Sequence, residues 1–217
     1  MLSPTWSSSL ARRVRALFWL KLIGTTAFTW AFFIAYFELL RSPVHPVHTM
    51  PLTPVDDWVA FAPWALWPYM SLWLYIGVAP GLQGRFVNLF VYGLWSLALS
   101  LTGLAIFYFW PTQIPTFMHV SDAPGMAMLK GVDAAGNACP SMHVAISLFS
   151  AVWIERVLRH MGAPRWLSVL NTVWFVAIAY STMAVRQHVA LDVLGGVALG
   201  GAFAWASLRW SPREPQL

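Results

Sequence analysis

The sequence predicts an all-α integral membrane protein, a bundle of about six membrane-spanning helices with both termini in the cytoplasm. Three observations carry that expectation. Of 217 residues, 59% are hydrophobic and only 10% are charged, whereas soluble domains carry roughly 25% charged residues. Mean hydropathy is +0.62, more apolar surface than a compact soluble domain of this size can bury. The apolar residues also fall into runs of about 20, the length that crosses a hydrocarbon core of about 30 Å at 1.5 Å per residue. Fourteen Trp, fourteen Phe and six Tyr exclude a disordered chain, which would be poor in aromatics and rich in charge.

Six windows qualify, at residues 16–40, 61–80, 86–110, 141–158, 166–185 and 188–208. The first carries Lys21 and Glu38 near its ends, where long side chains snorkel to the interface. It is too long for a cleavable signal peptide and has no small-residue cleavage site. Before the second window, residues 41–60 hold four prolines, His45, His48 and the pair Asp56-Asp57; the acids read as a solvated cap of that span. Between the third and fourth lies a long, weakly hydrophobic segment, residues 111–139, which includes "GMAMLKGVDAAGNACP". Loops of this length are uncommon unless functional, and this one is expected to lie on the membrane or cover a site. The sixth window contains "LGGVALGGA", small residues that let helices approach closely. Residues 1–217 thus form a single membrane-embedded domain, with the chemistry in about 111–208.

The basic residues orient the bundle. With the N-terminus inside, Arg12, Arg13, Arg15, Lys21, Arg85, Arg156, Arg159, Arg165, Arg209 and Arg213 are cytoplasmic, and only Arg41, Lys130 and Arg186 are outside. Ten against three is a positive-inside bias. The net charge of +5 therefore marks membrane orientation. No nucleic-acid partner is expected, because the cations form no stripe interleaved with exposed aromatics. Cys139 is the single cysteine and forms no intramolecular disulfide; it abuts the site described next, within possible reach of thiol reagents. The compact size and short loops fit a bacterial inner membrane.

Ionisable groups within spans are costly, which makes each a functional candidate. One cluster, Cys139-Pro140-Ser141-Met142-His143, opens the fourth span. The other, Ser181-Thr182, Arg186-Gln187-His188 and Asp192, lies where the fifth meets the sixth. The topology places both at the outer ends of their helices. His188 and Asp192 are four apart and so share a helix face. A carboxylate there accepts the Nδ1–H, fixes the tautomer and leaves Nε2 free as nucleophile or base. Arg186 offers a planar fork suited to phosphate oxygens, and a helix starting at Ser141 favours an anion. Two histidines, an acid, an arginine and a helix N-terminus describe a phosphoryl-transfer site that needs neither metal nor cofactor. A zinc site would want three or four ligands in a tight array, and His45-x-x-His48 with Asp56 or Asp57 falls short of that. Against the functional reading, Ser141 reads equally as a plain N-cap, and Arg186 as a headgroup anchor.

On these residues the chain resembles the type-2 phosphatidic acid phosphatase (PAP2) superfamily. That family's Pro-Ser-Gly-His motif is matched by Pro140-Ser141-Met142-His143, with Met for Gly. Its third motif has Ser-Arg, five residues, His, three residues, Asp. It is matched by Ser181-Thr182, His188 and Asp192, with Thr for Arg. The pattern looks most like the inositol-phosphoceramide-synthase branch. The resemblance implies a nucleophilic His188 forming a phosphohistidine, oriented by Asp192, with His143 as general acid and Ser141 and Ser181 at the phosphate. The family's first motif, Lys, six residues, Arg-Pro, is not found; "FWPTQIPTF", ending near Thr116, stands in its place. Arg186 and, more weakly, Lys130 are the substitutes for that cationic clamp. The implied activity is a lipid phosphate phosphatase at the periplasmic face, or a lipid phosphotransferase in which a hydroxyl replaces water. Two other classes remain: a transporter using the same groups as a proton relay, and an inactive relative. Clustering at one membrane face, without repeated halves, speaks against transport.

Overall fold

The computed structural model describes residues 6–116 and 136–211, and these are mainly helical. A short basic helix, α1 (Trp6–Arg15), turns through a left-handed Leu17 (φ 56°) into α2 (Phe18–Arg41). After the two-residue strand β1 (His48–Thr49) come α3 (Pro54–Trp58), a 3₁₀ turn at Pro63–Ala65, α4 (Leu66–Met70) and α5 (Leu72–Gly81). Then follow α6 (Phe86–Phe109), β2 (Thr112–Gln113), α7 (Met142–His160), α8 (Arg165–Ala184) and α9 (Ala190–Trp210). Strands β1 and β2 pair in parallel, His48 opposite Thr112 and Thr49 opposite Gln113. Gln113 also bridges Gly136. The ends of α2 and α6 and the approach to α7 are thereby held at one end of the bundle.

Among the described residues, four helices are long and apolar enough to cross a membrane: α2, α6, α8 and α9. The window at 61–80 is not one helix. Pro63 starts the 3₁₀ turn, and the helix breaks at Ser71, whose hydroxyl donates to the Pro68 carbonyl (2.7 Å) and accepts the Trp174 Nε1–H (2.8 Å). At 10 residues, α5 is about 15 Å long. Helix α7 occupies the fourth window but carries Glu155, Arg156 and Arg159. It is the central helix, packed against α5, α6, α8 and α9, so its surroundings are mostly protein. Phe149 and Trp153 on it are almost wholly buried. Its C-terminus ends on Gly162 at φ +62°. The Gly162 and Ala163 N–H groups donate to Arg159 and Leu158 carbonyls, closing the last turn as left-handed C-caps do.

Helices α7 and α9 meet through glycine. A Cβ on Gly196 would fall 2.5 Å from the Ser141 carbonyl oxygen, and one on Gly200 would run into the Ala145 backbone. The small-residue run in the last window therefore sets how closely the starts of these two helices approach. Gly103 of α6 plays the same part for Met142, whose Sδ fills the space a side chain there would need. Several buried polar groups within the bundle pair across helices: Tyr75 donates to Asn171 Oδ1 (2.7 Å), Asn171 to the Ala151 carbonyl (2.9 Å) and Trp153 to Ser207 (2.9 Å). Unpaired, each would cost roughly 1–3 kcal/mol.

Lys21 departs from the snorkelling expected of it. It is 6% exposed, and its Nζ donates to the carbonyls of Arg13 (2.6 Å) and Gly81 (2.8 Å). The ammonium satisfies the orphan carbonyls at the ends of α1 and α5. Outward faces of the long helices stay apolar: Trp19, Ile23, Trp30 and Ile34 on α2, and Trp166, Val169 and Val173 on α8, are all exposed. That is the surface of an integral membrane protein, whose solvent is lipid.

Candidate active site

Two backbone turns build the site. The Ser141 N–H donates to the Asp192 carbonyl (2.9 Å), which ties the start of α7 to the start of α9. Ser141 Oγ accepts the Val144 N–H (3.4 Å), so the hydroxyl is the N-cap of α7, and Ser141 is fully buried. Between α8 and α9 the Thr182 carbonyl accepts the N–H of both Gln187 (2.9 Å) and His188 (3.1 Å). Arg186 takes φ 57° in that turn, a left-handed conformation costing about 1 kcal/mol or more in a non-glycine residue. The reversal delivers His188 to the floor of the site.

Four side chains then form a line. Asp192, fully buried, lies with Oδ2 3.4 Å from His188 Nδ1. His188 Nε2 lies 3.4 Å from His143 Nδ1, and His143 Nε2 lies 2.9 Å from the Tyr69 hydroxyl. The His188–Asp192 approach is a contact rather than a made hydrogen bond; among the described residues, His188 Nδ1 and Asp192 Oδ1 have no hydrogen-bond partner. The sequence placed this pair on one helix face. In the structure His188 precedes α9, and Asp192 sits three residues into its cap, where Oδ2 also accepts the Val189 N–H (2.9 Å). The carboxylate thus caps the helix and faces the imidazole at once.

His188, 5% exposed, lines two openings. An apolar cleft of about 110 Å³ is walled by Phe32, Phe33 and Tyr36 of α2 and Trp73 of α5, with Tyr69, His143 and His188 in its lining. The other, of about 90 Å³, is polar and lined by Asp56, Asp57, Met183, Arg186 and His188. Arg186 holds its guanidinium 5.9 Å over the Phe61 ring. Asp56 corrects the expectation of a solvated cap: Oδ2 accepts from the Thr53 N–H (2.7 Å) and hydroxyl (2.8 Å), and Oδ1 accepts the Ala190 N–H (2.7 Å). A carboxylate of the chain itself thereby occupies one donor at the N-terminus of α9, and pins the outer segment to the site.

Of the residues singled out from sequence, His143, His188 and Asp192 come together, Ser141 is bonded to Asp192, and Arg186 borders the polar opening. Ser181 is fully buried and donates its hydroxyl to the Ile178 carbonyl (2.7 Å); it lines neither opening. Thr182, at the position of the family's arginine, likewise donates to Ala179 (2.8 Å). Lys130 lies outside the described residues. The stretch at the first-motif position forms β2, and its Thr112 accepts the Cys139 N–H (2.8 Å), so it supports the Cys139–His143 turn. Sequence reasoning missed Tyr69, the Asp56–Ala190 bond and Asn137, which lines the apolar cleft and donates to the Tyr36 carbonyl (3.2 Å).

Cys139 is 9% exposed, and burial, followed by the Asp192 carboxylate, pushes its thiol up to about 11. A raised value leaves almost no thiolate at neutral pH, and the thiolate is the reactive form. Maleimide labelling of the folded protein is therefore expected to be slow at neutral pH, while unfolded protein labels at once. Fast labelling of the native protein at neutral pH would contradict this burial.

The described residues thus set a histidine pair beside a buried acid where α7 and α9 begin. Residues 88–216 match the model of the PAP2 superfamily. That is more than half of the chain, and the protein belongs to this superfamily. Membership supports a phosphatase- or phosphotransferase-type function. No curated protein and no solved structure matches the chain.

Proposed function

We propose that the protein is a membrane-integral lipid phosphate phosphatase working through a phosphohistidine on His188 at the outer, periplasmic face. The observation that carries this reading is the 3.4 Å approach of His188 Nε2 and His143 Nδ1 beside an apolar cleft. The lipid chain lies in the cleft and the phosphoryl group reaches the histidines. The His188 Nε2 lone pair attacks phosphorus, the P–O bond to the lipid alcohol breaks, and the leaving oxygen takes a proton from His143. Water then attacks phosphorus, giving a proton to His143 Nδ1, and the P–N bond breaks with its electron pair returning to His188 Nε2, so that phosphate departs. In-line attack puts the leaving oxygen opposite His188, so the two rings part as the phosphoryl group enters. Six crossings fit the same reading, with α4 and α5 together making the second and α7 the fourth. Both termini are then cytoplasmic, and the basic majority lies at the end away from the histidines.

The polar opening favours a second reading. It borders His188 without His143, where the substituent retained on phosphorus would sit. A retained polar headgroup there, with a lipid hydroxyl in place of water, makes the reaction a headgroup transfer of the inositol-phosphoceramide-synthase type. The decisive experiment offers detergent-purified protein a panel of lipid phosphates and phosphodiesters, with EDTA present and His188→Ala as control. Phosphate release by the wild type alone supports the phosphatase. Movement of labelled headgroup between lipids without release supports the transferase, and neither, with no vanadate binding, overturns both. In either case Arg186→Ala is expected to raise KM about tenfold or more, the loss of one charge-assisted hydrogen bond to phosphate, with a smaller change in kcat.

A further inference from the structure

The hydroxyl of Tyr69 lies 2.9 Å from His143 Nε2, with the two rings 4.9 Å apart and tilted by 32°. We propose that Tyr69 is a positioning residue for His143: its oxygen accepts the Nε2–H, which leaves Nδ1 as the one nitrogen that gives and takes the catalytic proton. The inference rests on the phosphohistidine reading above. It goes beyond the family match, because Tyr69 lies outside residues 88–216, on the segment the sequence presents as an unbroken span.

The placement of Tyr69 is rigid and tied to the nucleophile's own turn. Tyr69 is 2% exposed. Ala65 and Tyr69 pack with Ala184 and Val185 at the end of α8, and the Ala62 N–H donates to the Ala184 carbonyl (2.9 Å). The same short stretch that leads into His188 therefore fixes the phenol that holds His143. The break at Ser71, anchored on Pro68 and Trp174, separates Tyr69 from the run of α5.

The proton accounting follows from the two ring nitrogens. His143 enters the cycle doubly protonated, with Nε2–H on the phenol oxygen and Nδ1–H toward His188 Nε2. When the P–O bond breaks, its electron pair stays on the leaving oxygen, which takes the Nδ1 proton. His143 is then neutral, still protonated on Nε2, and Nδ1 is free to take a proton from the incoming water or lipid hydroxyl. Without the phenol oxygen, neutral His143 divides between two tautomers, one of which has no lone pair on Nδ1.

The test compares wild type, Tyr69→Phe and His143→Ala on a lipid alkyl phosphate and on an aryl phosphate of matched chain length, whose phenolate leaves without a proton. Tyr69→Phe keeps the ring and its packing. It is expected to lower steady-state turnover of both esters about 10–100-fold, as loss of an orienting partner does, because water attack on the shared phosphohistidine needs the Nδ1 lone pair, while the pre-steady-state burst of phenolate from the aryl ester stays nearly intact. His143→Ala is expected to lose more steady-state turnover and to keep the same burst. A burst lost along with the steady state, or no steady-state loss on either ester, overturns the assignment of Tyr69. A wild type that cleaves and transfers neither ester overturns the phosphohistidine reading instead. The second measurement needs no turnover: 15N resonances of neutral His143 are expected to report a proton on Nε2 in the wild type and a mixture in Tyr69→Phe. Unchanged resonances overturn the inference.

Discussion

Alanine at position 188 is expected to abolish turnover while the bundle still assembles. In the proposed mechanism His188 is the group that forms the bond to phosphorus, and the cleft and the polar opening both reach it. Losing a nucleophile that works as a unit with its acid and its orienting carboxylate costs up to about 10⁶ in kcat in a comparable constellation. The structural cost is far smaller, about 1 kcal/mol, typical of a point substitution, because the side chain packs at the floor of an opening and makes a single described hydrogen-bond contact, to His143. Asp192→Asn separates the two roles of the carboxylate. An amide oxygen can still accept the Val189 N–H that Asp192 now holds, so the helix cap survives, whereas the charge facing His188 Nδ1 is lost. A fall of about 10⁴ in kcat follows an equivalent change in a hydrolytic triad, and a large loss with an unchanged unfolding temperature is the expected result here. Rapid acid-free quenching after labelled substrate should trap phosphoprotein in the wild type and none in His188→Ala. Full activity of His188→Ala would remove the mechanism.

The second large effect is structural. Gly200→Ala is expected to destabilise the bundle by about 1–3 kcal/mol or more, the usual cost of forcing a methyl into a filled space, because the new Cβ runs into the backbone of Ala145. Gly196→Ala meets the Ser141 carbonyl oxygen and Val144 and should behave alike, with the added consequence of shifting the turn that sets His143 against His188. The control lies next door. A Cβ on Gly201 would sit 3.8 Å from Leu148 Cδ2, an ordinary contact, and alanine there is expected to be neutral or stabilising by about 0.5–1 kcal/mol through helix propensity. Thermal unfolding in detergent, read beside activity, distinguishes the three. If Gly200→Ala and Gly201→Ala unfold alike, helix contact through these glycines does not hold α7 against α9.

Much of this was legible along the chain. The windows at 16–40, 86–110, 166–185 and 188–208 match α2, α6, α8 and α9 to within two residues at each end, because hydropathy over a span-length run is a local property. That His143, His188 and Asp192 lie together was legible from residue type, order and spacing, because polar groups at the ends of apolar helices gather where they can face one another. The broken second span was less so. Its prolines were visible, but an apolar run with proline can still cross a membrane when neighbours satisfy the freed backbone groups. Lys21 misled for a related reason: near a helix end it could snorkel or turn inward, and the two orphan carbonyls that draw it in come from α1 and α5.

By itself the sequence determined a membrane-embedded helical chain and singled out three groups that the fold brings together, because burial in lipid and the needs of a phosphoryl site are written in residue type and short spacings. The tertiary structure alone decided that Tyr69 holds His143, that Asp56 seals the start of α9 and that His188 faces both an apolar and a polar opening. The Tyr69 and Asp56 contacts join residues 74 and 134 positions apart, and the site closes where glycines let α7 and α9 approach and a left-handed Arg186 turns the chain back on itself.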